Sequence, residues 1–284
     1  MTALLRLDNV SQTFNRGGLL SGQRIDAVKN VSFALAEDRS EIFALIGESG
    51  AGKTTLARMV LGMQRPSSGT LEFEGRAIPT APGAARRNFM AKVQPIFQNP
   101  FEAFNPLKKI DRFLFLTAQR FGGAARGAAA DLAVDAALER VGLLLAEIRG
   151  RFPHELSGGQ LQRVAIARAL VSKPHLIVAD EPVSMVDASL RMSIVNLFAR
   201  LRDEMRISII YITHDLATAY TISDRLLIMQ NGAVVEAGDA RAVLSAPKHP
   251  YSRALRDAVL TLDSIGLFAA KRTSNRVTED RDVK

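Results

Sequence analysis

Glu41-Ile-Phe-Ala-Leu-Ile46-Gly47-Glu48-Ser49-Gly50-Ala51-Gly52-Lys53-Thr54-Thr55 is the stretch that decides how the chain is read. Glu41–Ile46 is a compact apolar run, and the octet from Gly47 to Thr54 fits G-x-x-x-x-G-K-[S/T] in full. Lys53 then opens a helical pattern in which Leu56, Met59, Val60 and Met63 recur at i, i+3, i+4 and i+7, which predicts one buried stripe. Strand, glycine-rich turn and helix in that order make a phosphate-binding loop. Glycines at 47, 50 and 52 let the backbone fold into a concave turn whose N–H groups face a phosphate beside a helix N-terminus. Lys53 reaches the β- and γ-phosphates, Thr54 offers a hydroxyl to Mg²⁺, and Thr55 can donate to the α-phosphate.

Outward from this point, the pattern is α/β. On the N-terminal side, Leu4–Val10 alternates weakly as a strand, Asn15–Arg24 reads as a glycine-rich loop, and Ala27–Leu35 resumes strand character. On the C-terminal side, about Asn99 to Glu155 turns helical. Leu132, Val134, Ala137, Leu138 and Val141 carry the period there, and Phe121–Gly127 interrupts it. A helix from about Gln160, a strand His175–Asp180, a helix from about Ser189 and a strand Ile207–Ile212 follow. β-Branched runs bounded by helices predict a parallel sheet. Asn231-Gly232 between Leu226–Gln230 and Ala233–Glu236 signals a hairpin, and Lys271–Lys284 reads as a loose, charged tail.

The 284 residues fit one large domain or two small ones. The 47% hydrophobic and 23% charged content excludes a wholly disordered or fibrous chain. There is no Cys, which excludes disulfides, Cys-ligated zinc or iron–sulfur clusters and a thiol nucleophile. The net charge of +8 suits an anionic partner without choosing among nucleotide, nucleic acid and lipid. No run reaches the ~18 apolar residues of a membrane span, and Met1–Asp8 lacks the pattern of a secretion signal, so a cytoplasmic location is expected.

Two further motifs bear on chemistry. Leu176-Ile-Val-Ala-Asp180-Glu181 is an apolar strand ending in two carboxylates. Downstream of a phosphate loop it suits the second half of an ATP site, with Asp180 toward Mg²⁺ and Glu181 toward an attacking water. Leu156-Ser157-Gly158-Gly159-Gln160 precedes a helix. Ser157 with Gln160 makes a capping box, and the same corner is an anion site. His154 and His175 have no partners at metal-ligand spacing and are assigned to surface or packing. Phe113, Phe115 and Phe121 are expected to pack the helical region or meet a partner helix.

Together these motifs resemble the ATP-binding-cassette ATPases. Leu156–Gln160 followed by Leu161-Gln162-Arg163 is similar to that family's signature, Gln98 to its Q-loop, Asp187 in Met185-Val-Asp187 to its D-loop, and His214 in Ile212-Thr-His214-Asp215 to its switch histidine. The resemblance spans residues 4 to about 240, with six motifs in the family's order. It implies a P-loop NTPase (RecA-like) parallel core with an antiparallel β subdomain and an inserted helical subdomain at about 99–159. The expected layout is an ATP-binding domain over 1–240 and a C-terminal extension with a loose tail over 241–284. It implies ATP and Mg²⁺ as ligands, with ATP held by the loop from Gly47 to Thr55, Phe14 stacked on adenine, and Thr54, Gln98 and Asp180 around the metal. Glu181 would polarise water, His214 would contact the γ-phosphate, and Gln98 would sense it. Ser157, Gly158, Gly159 and Asp187 would approach ATP held by a second chain, so that two chains enclose two ATP molecules.

Phe97-Gln98-Asn99-Pro100-Phe101-Glu-Ala-Phe104-Asn105-Pro106 and Pro247-Lys-His249-Pro250-Tyr251-Ser-Arg-Ala-Leu255 resemble elements of peptide, nickel and opine importers. That implies a homodimer or a heterodimer with a paralogous ATPase beneath two membrane-spanning permease subunits. An extracytoplasmic solute-binding protein would act indirectly, and the chain would sit at the cytoplasmic face of the cell membrane with no nucleic acid expected. Met185–Ser189 departs from the commoner Ser-Ala-Leu-Asp and resembles members that serve oligosaccharide or opine uptake. Ser40 stands where a Gly usually precedes Glu41, which is expected to alter a turn. The alternative is a soluble cassette acting on nucleic acid or the ribosome, which the positive charge would suit.

Overall fold

A computed structural model describes residues 3–16, 23–123 and 127–258. Its strands are β1 (Ala3–Arg16), β2 (Gln23–Ala36), β3 (Ile42–Ile46), β4 (Ser68–Phe73), β5 (Arg76–Ala77), β6 (Val93–Ile96), β7 (Leu176–Asp180), β8 (Ser208–Thr213), β9 (Arg225–Gln230) and β10 (Ala233–Asp239). Its helices are α1 (Lys53–Val60), α2 (Ala84–Lys92), α3 (Asp111–Arg120), α4 (Ala128–Arg140), α5 (Leu145–Ile148), α6 (Gly158–Leu170), α7 (Ala188–Met205), α8 (Leu216–Ile222) and α9 (Ala240–Ser245). Residues 250–258 are helical as well.

Among the described residues the strands form one sheet in the order β5-β4-β1-β2-β10-β9-β3-β8-β7-β6. Its first part is antiparallel, and the run β9-β3-β8-β7-β6 is parallel. β3 and β8 are buried along their whole length, which is why they read as unbroken apolar runs rather than as alternation. One face packs against α6, α7 and the helical insertion through Ile177, Ile209, Val164 and Phe198. The other packs against α1 and the antiparallel strands through Leu45, Ile210, Leu56 and Leu5.

Several expectations are corrected. The two ends of the Asn15–Arg24 stretch are strand, since Asn15 pairs with Arg24 and Arg16 with Gln23; residues 17–22 lie outside the described residues, as does the Lys271–Lys284 tail. The alternation in β1 breaks at Asn9, which sits at φ +50° with a register shift between Leu7 and Val10, so Val10 rather than Asn9 turns inward. Met63 is not part of the buried stripe: α1 stops at Val60 and Met63 is 51% exposed. Leu132 stands on the open face of α4 at 72% exposure. The hairpin at Asn231-Gly232 forms as expected, with both residues at positive φ and Gln230 paired to Ala233.

At the entry to β3, the Ser40 hydroxyl donates to the Arg202 carbonyl at 3.0 Å, so this residue joins the end of α7 to the sheet. Glu41 beside it is buried and is held by Arg225 at 3.2 Å. Ile210 lies in the middle of the sheet without exposure, whereas Leu132 is open to solvent. Ile210→Ala is expected to cost about 2–5 kcal/mol in urea unfolding, and Leu132→Ala less than about 0.5 kcal/mol.

Candidate nucleotide site

Four neighbouring parallel strands, β3, β8, β7 and β6, all end on the same edge of the sheet. The phosphate loop follows β3, His214 follows β8, Glu181 follows β7, and Gln98 follows β6. An open α/β sheet gathers ligands at this carboxyl edge because loops from adjacent strands converge there. A cleft of about 620 Å³ results, lined by Ala27, Glu48, Ser49, Gly50, Gly52, Lys53, Thr54, Thr55, Gln98, Glu181 and His214.

Lys53 is the first residue of α1 and is buried. Its Nζ donates to the Gly47 carbonyl at 2.6 Å and to the Glu48 carbonyl at 2.9 Å, so the side chain folds back along the rim of its own loop. Burial pulls its pKa down, against the fields of Glu181, Asp180 and Glu48, which act the other way. A desolvated ammonium facing an open cleft favours a strongly anionic ligand. Gly52 caps α1 at φ +102°, and a Cβ there would stand 2.2 Å from the Ala27 carbonyl. That position admits only glycine.

Glu181 follows β7 and sits in the left-handed region, at φ +45°. Non-glycine residues in this region concentrate at functional sites. Its N–H donates to the Ile212 carbonyl at 2.9 Å. Each carboxylate oxygen then has a side-chain partner: the Gln98 amide donates to Oε2 at 3.0 Å, and His214 Nδ1 lies 3.1 Å from Oε1. Three segments far apart in the chain therefore converge on one carboxylate. Beneath it, burial pushes the Asp180 carboxyl up and Glu181 adds to that, while the Thr54 hydroxyl, Lys53 and Arg58 oppose it.

Thr54 bonded to Asp180, with Gln98 nearby, is an all-oxygen donor set of the kind Mg²⁺ takes. Because Mg²⁺ keeps waters and phosphate oxygens as ligands, one protein carboxylate is enough. The residues present fit that ion.

The signature corner lies elsewhere. Ser157 caps α6, its hydroxyl accepting from the Gln160 N–H at 3.2 Å while Gln160 Oε1 accepts from the Ser157 N–H at 3.0 Å. This is the capping box read from the sequence. Ser157, Gly158 and Gly159 are not among the residues that line the cleft. Their corner adjoins the segment after β7 instead, with Leu190 over Gly159 and the Met185 carbonyl near Gly158. Asp187 is exposed at the start of α7, and Phe14 is exposed on β1, outside the lining of the cleft.

His249, singled out with the C-terminal element, is engaged within it: its Nδ1 accepts from the Tyr251 N–H at 3.2 Å. His175 pairs with Glu74 at 2.7 Å, and His154 stacks on Phe152. Phe113 packs edge-on against Phe104, and Arg149 lies over Phe115. Tyr251, known from the sequence only as part of that C-terminal element, has a hydroxyl that accepts from the Glu48 N–H at 2.9 Å, and no short-range pattern announces that contact.

A phosphate loop joined through a parallel sheet to a clamped carboxylate and a histidine defines a P-loop ATPase. Residues 28–184 match the ABC transporter family, and the chain belongs to it. It is 38% identical over 262 residues to the "Oligopeptide transport ATP-binding protein OppF" of Streptococcus mutans, an alignment covering 92% of this chain and 83% of that one. It is 37% identical over 246 residues to the "Dipeptide transport ATP-binding protein DppF" of Haemophilus influenzae, covering 86% of this chain and 73% of that one. Among solved structures, the dimeric post-hydrolysis state of the ATP-binding cassette MJ0796 bound to ADP and Pi superposes with a TM-score of 0.71 at 27% identity. It covers 84% of this chain and 99% of that one.

Gly52→Ala is expected to keep the far-ultraviolet circular dichroism of the unaltered chain. It should weaken binding of a fluorescent ATP analogue at least about tenfold, because both φ and the Ala27 carbonyl forbid the new methyl group.

Proposed function

We propose that the chain is the ATP-binding and hydrolysing subunit of a membrane importer for oligopeptides or related small solutes such as opines, oligosaccharides or nickel. The observation that carries this reading is the convergence of Lys53, Gln98, Glu181 and His214 on one cleft. The relatives compared above are named for oligopeptide and dipeptide transport, which favours an importer over a cassette that serves nucleic acid.

The chemistry follows from the placement of these groups. The loop N–H groups and Lys53 hold the triphosphate; Thr54 and Asp180, with Gln98 alongside, would hold a Mg²⁺ ion, which would supply charge neutralisation at the phosphate oxygens. Glu181 orients a water against the γ-phosphorus and accepts its proton. As the new P–O bond forms, the bond to the β–γ bridging oxygen breaks, releasing ADP and phosphate. His214 contacts the γ-phosphate, and Gln98, bonded to the same carboxylate, senses its presence. Little covalent work falls to the protein, so alignment decides the rate.

One chain does not complete this site, because its serine-glycine corner lies outside its own cleft. A second chain, identical or paralogous, brings Ser157, Gly158, Gly159 and Asp187 to the γ-phosphate. Met185 and Leu190 are exposed beside that corner and form an apolar rim suited to the partner. Phe14 stacks on the adenine. Between the sheet and the helical insertion lies a groove of about 340 Å³ lined by Met63, Met90, Phe113, Leu116 and Phe121, among others. It receives a short helix from a permease subunit, with Phe101 and Leu107 exposed nearby. No helix among the described residues is long and apolar enough to cross a membrane, and attachment to two permease subunits places the chain at the cytoplasmic face.

Lys53→Ala is expected to abolish turnover through loss of ATP binding, measured by phosphate release. Glu181→Gln should bind ATP yet turn over at least about a hundredfold more slowly and elute as a dimer in size-exclusion chromatography with ATP. Normal turnover in both variants would refute the assignment.

A further inference from the structure

Residues 247–255 were matched above only as a marker of a subfamily, yet the fold brings one of them into the phosphate loop. Tyr251 is 9% exposed, and its ring packs in a cluster with Ala44 and Ile46 of β3, Leu216 of α8 and Leu244 of α9. Its hydroxyl reaches out of that cluster to accept the N–H of Glu48 at 2.9 Å. Glu48 is the second residue of the loop. The peptide unit it shares with Gly47 carries, on its opposite side, the carbonyl that accepts from Lys53 Nζ at 2.6 Å. A single planar group therefore has the tyrosine hydroxyl on one side and the reactive-site ammonium on the other.

The tyrosine is itself fixed from a distance. Glu236 of β10 accepts the N–H groups of Lys248 and His249 at 2.8 and 3.1 Å. The Arg253 side chain closes the turn by donating to the Pro247 carbonyl at 3.0 Å. Burial pushes the Tyr251 phenol up, so the group stays a neutral hydroxyl near neutral pH.

We propose that Tyr251 is a positioning residue for ATP binding: through the Gly47–Glu48 peptide it fixes the mouth of the phosphate loop and the seat of Lys53. This rests on the reading of the chain as an ATP-binding subunit. A loop with three glycines has many conformations to lose when it closes on phosphate, and a restraint at its entrance removes some of that loss before ligand arrives. A hydrogen bond to the Glu48 N–H also polarises the peptide, strengthening the Gly47 carbonyl as a partner for the ammonium. The C-terminal element thereby contributes to nucleotide affinity although it lies about two hundred residues from the loop in sequence.

Tyr251→Phe in the full chain removes the hydroxyl alone and keeps the ring in its cluster. Binding of trinitrophenyl-ATP and steady-state turnover against ATP concentration are measured on this variant and on the unaltered chain. Kd and KM are expected to rise about three- to tenfold, with kcat within about twofold and the melting temperature within about 3 °C. Equal Kd and KM in the two chains would overturn the inference, including when the melting temperature falls, because Tyr251 would then only support the fold. Failure of the unaltered chain to bind the analogue would instead overturn the ATP-binding reading itself.

Discussion

The molecule is organised around a buried positive charge. Lys53 starts α1 inside the protein, with two loop carbonyls as its hydrogen-bond partners and Asp180 and Glu181 acting on it through space. Burial alone would favour a neutral amine, and the carboxylates of Glu181, Asp180 and Glu48 oppose that tendency without cancelling it. Such a group meets its full complement only when an anion enters the cleft. The same conflict runs through Asp180, whose burial pushes its carboxyl up beside a threonine hydroxyl and which fits a small cation. The site thus sets a desolvated lysine beside a desolvated carboxyl, a pairing suited to a metal-bound phosphate.

Holding those charges in place requires a stiff support, and the parallel strands provide it. β3, β8, β7 and β6 are neighbours, and β3 and β8 are buried throughout, so their ends cannot shift independently. Each contributes one functional segment at the same edge. The carboxylate of Glu181 is the meeting point, with Gln98 on one oxygen and His214 on the other. Gln98 begins the segment leading into the helical insertion, so a single side chain links that segment to Glu181.

The signature corner shows how one motif serves two purposes. Ser157 and Gln160 satisfy each other's backbone N–H groups, which stabilises the start of α6 in the isolated chain. Ser157 is exposed at this corner, whereas Gly159 is buried beneath Leu190. Met185 and Leu190, which adjoin this corner, are exposed, so apolar surface borders its polar centre.

The phosphate loop, the Asp180-Glu181 strand end, the capping box and the Asn231-Gly232 turn were legible in sequence because each rests on chemistry within a few residues. The run from Ser68 to Ile96 was not resolved into β4, β5, α2 and β6. Its strands are short, and α2 buries only Phe89, too little to leave a period. Met63 and Leu132 were misplaced for a related reason: apolar spacing gives a face but not where a helix stops or what covers it. Sequence alone settled that a triphosphate loop precedes a helix and that a glutamine, two acids and a histidine follow in order. Only the tertiary structure decided that Gln98 and His214 grip the same carboxylate and that Tyr251 reaches the loop. Strand order and long-range packing determine which distant residues become neighbours, and neither is written in local periodicity.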